Sequence, residues 1–238
     1  MTENKIALVT GANKGIGFAI ARGLGAEGFR VAVGARDAAR GETAVQQLRE
    51  EGTDAFGVAL DVTSDQSVIA ATAALEAEVG RLDVLVNNAG IAGRVEGGAQ
   101  DPSTLDLEVV RTVLETNVYG AVRVTNAVLP LLERSAAPRI VNMSSDMGSL
   151  QLHTGPLMAA YASSKTMLNA LTVQYARRFE ETPVIVNSAC PGYVATDFTG
   201  HAAPRSPGQG AAIALRLALL PDEGPRGGFF NEDGPIPW

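Results

Sequence analysis

The sequence predicts an α/β protein, a single-domain Rossmann-type, doubly wound sheet of about seven mostly parallel strands flanked by helices on both faces. Three observations lead there. Short apolar runs alternate with helical stretches along the chain, a pattern that gives right-handed crossovers and a covered parallel sheet. A glycine-rich turn joins the first strand directly to the first helix. The 238 residues, 46% of them hydrophobic, suffice for one core, and no Pro-, Gly- or Ser-rich linker or repeat divides residues 1–238.

The run Lys-Ile-Ala-Leu-Val-Thr at 5–10 reads as a buried strand. It enters Gly11-Ala12-Asn13-Lys14-Gly15-Ile16-Gly17 and then the helical pattern Phe18 to Leu24. Strand, glycine turn and helix together make a phosphate site, because glycines admit close backbone approach and the helix start offers free N–H groups. The Gly-x3-Gly-x-Gly spacing departs from the Gly-x-Gly-x-x-Gly fingerprint and from a P-loop. A second strand covers 30–36, followed by strands at 55–60, 84–87, 140–143 and 184–188, and a short one at 228–230. Helices are expected near 40–51, 65–79, 103–134, 157–180 and 207–219. Ligands of such a sheet bind beyond the carboxyl ends of its strands.

Chemistry enters with Tyr161-Ala162-Ser163-Ser164-Lys165. Residues four apart share a helix face, so phenol and ammonium can meet. A free tyrosine, with a pKa of about 10, is a poor acid–base group at neutral pH. Opposite charges about 4 Å apart at an effective dielectric of about 20 interact by roughly 4 kcal/mol, so Lys165 is expected to lower the phenol pKa. The second strand ends at Arg36-Asp37, about twenty residues after the glycine turn, where an acid selects a ribose 2′-hydroxyl and an arginine a 2′-phosphate. Arg36 comes first and Lys14 adds a cation, which favours NADPH over NADH. Asp37 is also placed to begin the next helix.

With those motifs, the order of Thr10 to Gly17, Asp61-Val62, Asn87-Asn88-Ala89-Gly90, Asn117, Ser144-Ser145, Tyr161 to Lys165 and Pro191-Gly192 resembles the short-chain dehydrogenase/reductase family, in its compact branch, over nearly the whole chain. Ala35 to Asp37, Asn187 to Gly192 and Leu219-Leu220-Pro221 look like the NADPH-dependent carbonyl reductases. Those reductases often carry a long insertion before the tyrosine, whereas fifteen residues separate Ser145 from Tyr161 here.

The resemblance implies reduction of a ketone or aldehyde, with Tyr161 as general acid, Lys165 lowering its pKa and holding the nicotinamide ribose, and Ser145 holding the substrate oxygen. Asn117 would hold helix geometry and a water linking Lys165 to solvent; the residue-level alternative is a satisfied buried amide. Gly11, Asn13, Lys14, Gly15, Ile16 and Gly17 would take the phosphates, and Arg36 the 2′-phosphate. Asp61 would read the adenine, Asn88 would lie beside the ribose, the backbone of Val194 to Thr196 would grip the carboxamide, and Val62, Gly90, Pro191 and Gly192 would also bind the cofactor. Loops at about 92–102, 146–158 and 193–207 would bound the substrate, with Met147, Leu150, Leu152, Met158, Tyr193 and Phe198 as an apolar lining. His153 and His201 read as solvated loop residues. An NAD-dependent alcohol or sugar dehydrogenase and an idle nucleotide sensor are the alternatives; the presence of Ser145, Tyr161 and Lys165 speaks against the sensor.

The formal charge of −7 argues against nucleic acid or an anionic membrane as partner. Cys190 is the single cysteine, so no internal disulfide forms, and it reads as a buried structural thiol in a reducing, cytoplasmic setting. No metal-ligand spacing, signal peptide or membrane span is present in the sequence. Val118, Val122, Leu129, Leu168, Leu171 and Val173 on the two long helices exceed what the sheet can cover, which predicts a symmetric homodimer or homotetramer.

Overall fold

The computed structural model describes residues 4–93, 95, 99–152 and 155–238. The strands are β1 (Ile6–Thr10), β2 (Arg30–Ala35), β3 (Ala55–Ala59), β4 (Val84–Asn87), β5 (Arg139–Met143), β6 (Ile185–Ala189), β7 (Phe229–Asn231) and β8 (Gly234–Pro235). They form one sheet in the order β3-β2-β1-β4-β5-β6-β7-β8. Every neighbouring pair from β3 to β7 is parallel, and β7–β8 is antiparallel. The eighth strand exceeds the seven expected. It follows a tight turn in which Asn231 Oδ1 accepts from the N–H groups of Asp233 (2.9 Å) and Gly234 (3.0 Å), and two residues are too few to show a strand period.

The helices are α1 (Gly15–Ala26), α2 (Ala38–Glu50), α3 (Asp65–Val79), α4 (Leu107–Leu114), α5 (Gly120–Leu132), α6 (Ala159–Arg178) and α7 (Pro207–Ala218). Strand side chains alternate between the two faces. Ala7 and Val9 join a core with Ile20, Leu24, Leu48 and Leu217 from α1, α2 and α7. Ile6 and Leu8 join the other, with Leu75, Val124, Leu131 and Phe179 from the α3, α5 and α6 side. This two-sided burial is why the central strands read as unbroken apolar runs.

Local chemistry sets the helix ends. Asp37 caps α2 through the Arg40 N–H (3.1 Å), Ser64 caps α3, and Gly80 ends α3 in the left-handed region (φ 65°). Ser206 and Gln209 form a capping box on α7, with Pro207 at its first position. The single helix expected at 103–134 is instead α4, a π-turn at Glu115–Tyr119 and α5. The interruption is tertiary in origin, since the Asn117 side chain is fastened to Ile91 and Ser164. Lys5, Arg36, Leu60, Val184 and Gly228 fall outside the strands expected to contain them. Aligned registers, such as Ala35↔Ala59 and Met143↔Ala189, bring the carboxyl ends of the strands to one edge, and the motif residues follow them there.

Candidate active site

Along that edge runs a cleft of about 1900 Å³. At one end is the glycine turn. Gly11 and Gly15 adopt φ of 63° and 58°, which favours glycine over any other residue. Gly17 is small for a different reason: a Cβ there would come within 2.4 Å of both Asn88 Nδ2 and the Gly11 carbonyl. Thr10 and Asn88 hold the turn. Thr10 Oγ1 accepts from the N–H groups of Asn88 and Ala89, both at 3.0 Å, and Asn88 Nδ2 donates to the carbonyls of Thr10 (2.9 Å) and Gly11 (3.2 Å). Asn88 therefore props the turn, a part the ribose expectation did not contain.

Helix α1 begins with Lys14 as its cap, without a side-chain cap bond and without an acid in its first turn. Its first amides are free for an anion, reinforced by the helix dipole. Asn13, Lys14, Gly15, Ile16 and Gly17 line the cleft here. Lys14 Nζ pairs with Asp197 Oδ2, and His201 Nε2 lies 2.9 Å from Asp197 Oδ1. Both side chains thus meet an acid of the 193–207 loop while staying largely exposed, His201 at 67% as a solvated loop residue. His153 lies outside the described residues.

Arg36 is exposed at the same end of the cleft. Asp61 stands near it. Burial pushes the Asp61 carboxyl up, but hydrogen bonds from Thr63 N–H (2.9 Å) and Oγ1 (2.7 Å) and the charges of Arg36 and Arg123 outweigh this and hold it below the usual carboxylate range. Val62 and Gly90 complete this wall. Pro191, Gly192, Val194 and Thr196 also line the cleft, with Thr196 beside Gly15 of the glycine turn. Ser144 Oγ is buried on the cleft wall with no hydrogen-bond partner among the described residues, an orphan of the kind a bound ligand satisfies. A dinucleotide phosphate thus fits the residues present: free helix amides, glycine clearance, and the Arg36 cation at the same end.

At the other end, α6 presents Tyr161 and Lys165. The Lys165 Nζ lies 5.5 Å from the centre of the Tyr161 ring and donates to the Met143 carbonyl at 2.8 Å. Lys165 is 5% exposed, and this burial pulls its pKa down to about 8. Tyr161 is half-buried and hydrogen-bonded to Ser145. Desolvation outweighs that bond and pushes the phenol above its ordinary value, with Cys190 and Asp146 adding to the rise. The net shift is therefore opposite to the lowering expected from Lys165: burial penalises the phenolate more than the Ser145 hydrogen bond favours it. The phenol holds its proton, which makes it a donor.

Asn117 sits behind this pair. Its Oδ1 accepts from Ile91 N–H (2.8 Å), and its Nδ2 donates to Ile91 O (2.9 Å) and Ser164 Oγ (3.0 Å). Both amide ends are satisfied within the protein, as the buried-amide alternative has it. Cys190 is buried, accepts from Asp146 N–H (3.1 Å), and has its pKa raised by burial. Two features had no visible sequence signal. The Phe198 ring lies 5.1 Å from that of Tyr161, tilted by 58°, and Gln100 Oε1 accepts from the Tyr161 N–H.

A family model described as short chain dehydrogenase matches residues 5–206. The chain belongs to the short-chain dehydrogenase family. It is an oxidoreductase of that family, and its relatives include carbonyl reductases. A carbonyl reductase (NADPH) 1 of Bos taurus is 35% identical over 100% of this chain and 99% of its own. A (−)-isopiperitenone reductase of Mentha piperita is 33% identical over 96% of each. Among solved structures, salutaridine reductase from Papaver somniferum superposes with a TM-score of 0.86 at 30% identity, over 96% of this chain and 100% of the other. An actinorhodin polyketide ketoreductase with NADPH gives 0.85 at 32%, over 96% and 95%. In this short-chain dehydrogenase no described helix is long and apolar enough to cross a membrane.

Proposed function

We propose that the protein is an NADPH-dependent reductase of a ketone or aldehyde with an apolar body. The observation that carries the reading is the protonated Tyr161, bonded to Ser145 and beside Lys165, in the same cleft as the uncapped α1 and Arg36. NADPH, when bound, supplies the hydride. Tyr161 donates its proton to the carbonyl oxygen that Ser145 orients, and Lys165 stabilises the phenolate left behind. The Lys165 ammonium is fixed by Met143, so its charge needs no reorganisation during the reaction. Arg36 meets the 2′-phosphate as a bidentate donor, and the glycine turn and α1 amides hold the pyrophosphate. Asp37 is occupied as the cap of α2, which supports NADPH over NADH.

The described residues of the loops 92–102, 146–158 and 193–207 bound the substrate, with Met147, Met158, Tyr193 and Phe198 lining the cleft. The single free thiol fits a cytoplasmic setting. Assembly into a homodimer or homotetramer is supported by exposed Leu107, Tyr119 and Met167 on α4, the π-turn and α6. The test is NADPH against NADH consumption across aldehydes, aryl ketones, quinones and diketones, repeated with Arg36→Ala. A charge-assisted bond of about 1.5–3 kcal/mol lost only with NADPH should lower the NADPH preference about ten- to a hundredfold. Equal losses on both cofactors would make Arg36 structural.

A further inference from the structure

Helix α6 lacks the means to satisfy its own first amides. Its cap residue, Met158, makes no side-chain hydrogen bond, and its first turn holds no acid. The N–H groups of Ala159, Ala160 and Tyr161 have no acceptor within the helix. One residue from a distant loop meets two of them. The Ala159 N–H donates to the Gln100 backbone carbonyl, and the Tyr161 N–H to Gln100 Oε1, both at 3.1 Å. The Gln100 N–H donates in turn to the Leu157 carbonyl at 2.7 Å.

The other end of the same side chain points the opposite way. Gln100 Nε2 donates to the carbonyls of Ala92 (2.6 Å) and Gly93. Those residues follow Gly90, where an added Cβ would lie 3.6 Å from Lys165 Nζ and 3.3 Å from Asn117 Oδ1. Gln100 is 1% exposed, so each of these bonds is made away from competing water. An amide is the side chain that can both accept from a helix amide and donate to two carbonyls; a carboxylate or an apolar chain cannot.

We infer that Gln100 is a positioning residue for Tyr161, clamping the first turn of α6 to the segment after β4 so that the phenol stays within reach of Ser145. This rests on the reading of Tyr161 as proton donor. An unclamped first turn frays, and a displacement of about 1 Å at the reacting group can cost on the order of a hundredfold in rate.

The test uses the full chain with NADPH and a carbonyl substrate from the screen. Gln100→Met, near in volume but without amide chemistry, should lower kcat ten- to a hundredfold while the NADPH Kd, followed by cofactor fluorescence, stays within twofold. Gln100→Glu keeps the acceptor aimed at Tyr161 but loses both donors to Ala92 and Gly93, so it should lower kcat tenfold or more as well. A second readout needs no turnover: the Tyr161 phenol, isolated by ultraviolet titration against Tyr161→Phe, should move back towards about 10 in Gln100→Met. If Gln100→Met does not fold, Gln100→Asn, one methylene shorter, carries the same comparison. Unchanged kcat in Gln100→Met, a kcat loss matched by NADPH affinity, or parent-like turnover in Gln100→Glu overturns the clamp. Should the parent reduce no carbonyl compound, the reductase reading fails, and the titration alone decides on Gln100, an unshifted phenol overturning it.

Discussion

A tyrosine protonates a carbonyl oxygen only while it still holds its proton, and burial keeps Tyr161 in that state. Tyr161→Phe preserves the ring and removes the donor. It should leave the NADPH Kd within about threefold and lower kcat at least a hundredfold, the range general acid catalysis contributes; near-normal turnover would remove Tyr161 from the mechanism. Lys165 carries a separate signature in stability. Its folded pKa, about 8, lies below its ordinary 10.5, so between those values the unfolded chain binds more protons and stability rises with pH. Below about pH 8 the fold bears the full cost of the buried ammonium, up to about 3 kcal/mol. Urea unfolding of Lys165→Met against the parent should therefore show a stability difference that moves against the variant as pH rises from 8 to 10.5. A pH-independent difference would mean that the ammonium is not desolvated. Tyr161 acts with the opposite sign at higher pH: its raised folded pKa contributes stability that is full below about 10 and is lost as pH climbs through the folded value.

At the scale of elements, the glycine-turn end of the cleft depends on that turn being flush against the end of β4. A methyl at residue 17 would strike Asn88 Nδ2 and the Gly11 carbonyl, breaking the bonds by which Asn88 supports the turn. Gly17→Ala should cost about 1–3 kcal/mol, as overpacking does, and weaken NADPH and NADH alike by tenfold or more, because the pyrophosphate is common to both. That equal loss separates it from Arg36→Ala. Calorimetry with both cofactors decides, and normal affinity would show that the turn accommodates the methyl. The π-turn belongs to this scale too. It places Asn117 between Ile91 and Ser164, linking the loop after β4 to α6, as π-turns at functional sites often do.

For the molecule as a whole, the apolar excess on the two long helical segments divides on inspection. Val118 and Leu168 are buried at 0% and 3% exposure and belong to the interior, whereas Val122, Leu129, Leu171 and Val173 are half-buried. The surface available to a second copy is therefore marked by Leu107, Tyr119 and Met167. Light scattering at micromolar concentration should give a multiple of 24.7 kDa, and Leu107→Glu with Met167→Glu should reduce it. The mass of one chain for the parent would defeat the assembly and leave the catalytic reading untouched.

The alternation of strands and helices, the glycine turn and the Tyr161–Lys165 spacing were legible in the amino-acid order because each is local: neighbouring residues alone set the period, the clearance and the shared helix face. Asp37 belongs with them, since an N-cap bonds three residues along its own chain. Residue types and order also identified the family. Tertiary structure alone decided the rest. The Gln100–Tyr161 bond spans 61 positions and the Lys14–Asp197 bond 183, so no local pattern announces either. The π-turn arises from a side chain fastened to another element, not from a helix-breaking residue among Glu115–Tyr119. The direction of the Tyr161 shift was likewise invisible, because a charge four residues away can be read from sequence, while the depth of burial that opposes it depends on how the whole chain packs.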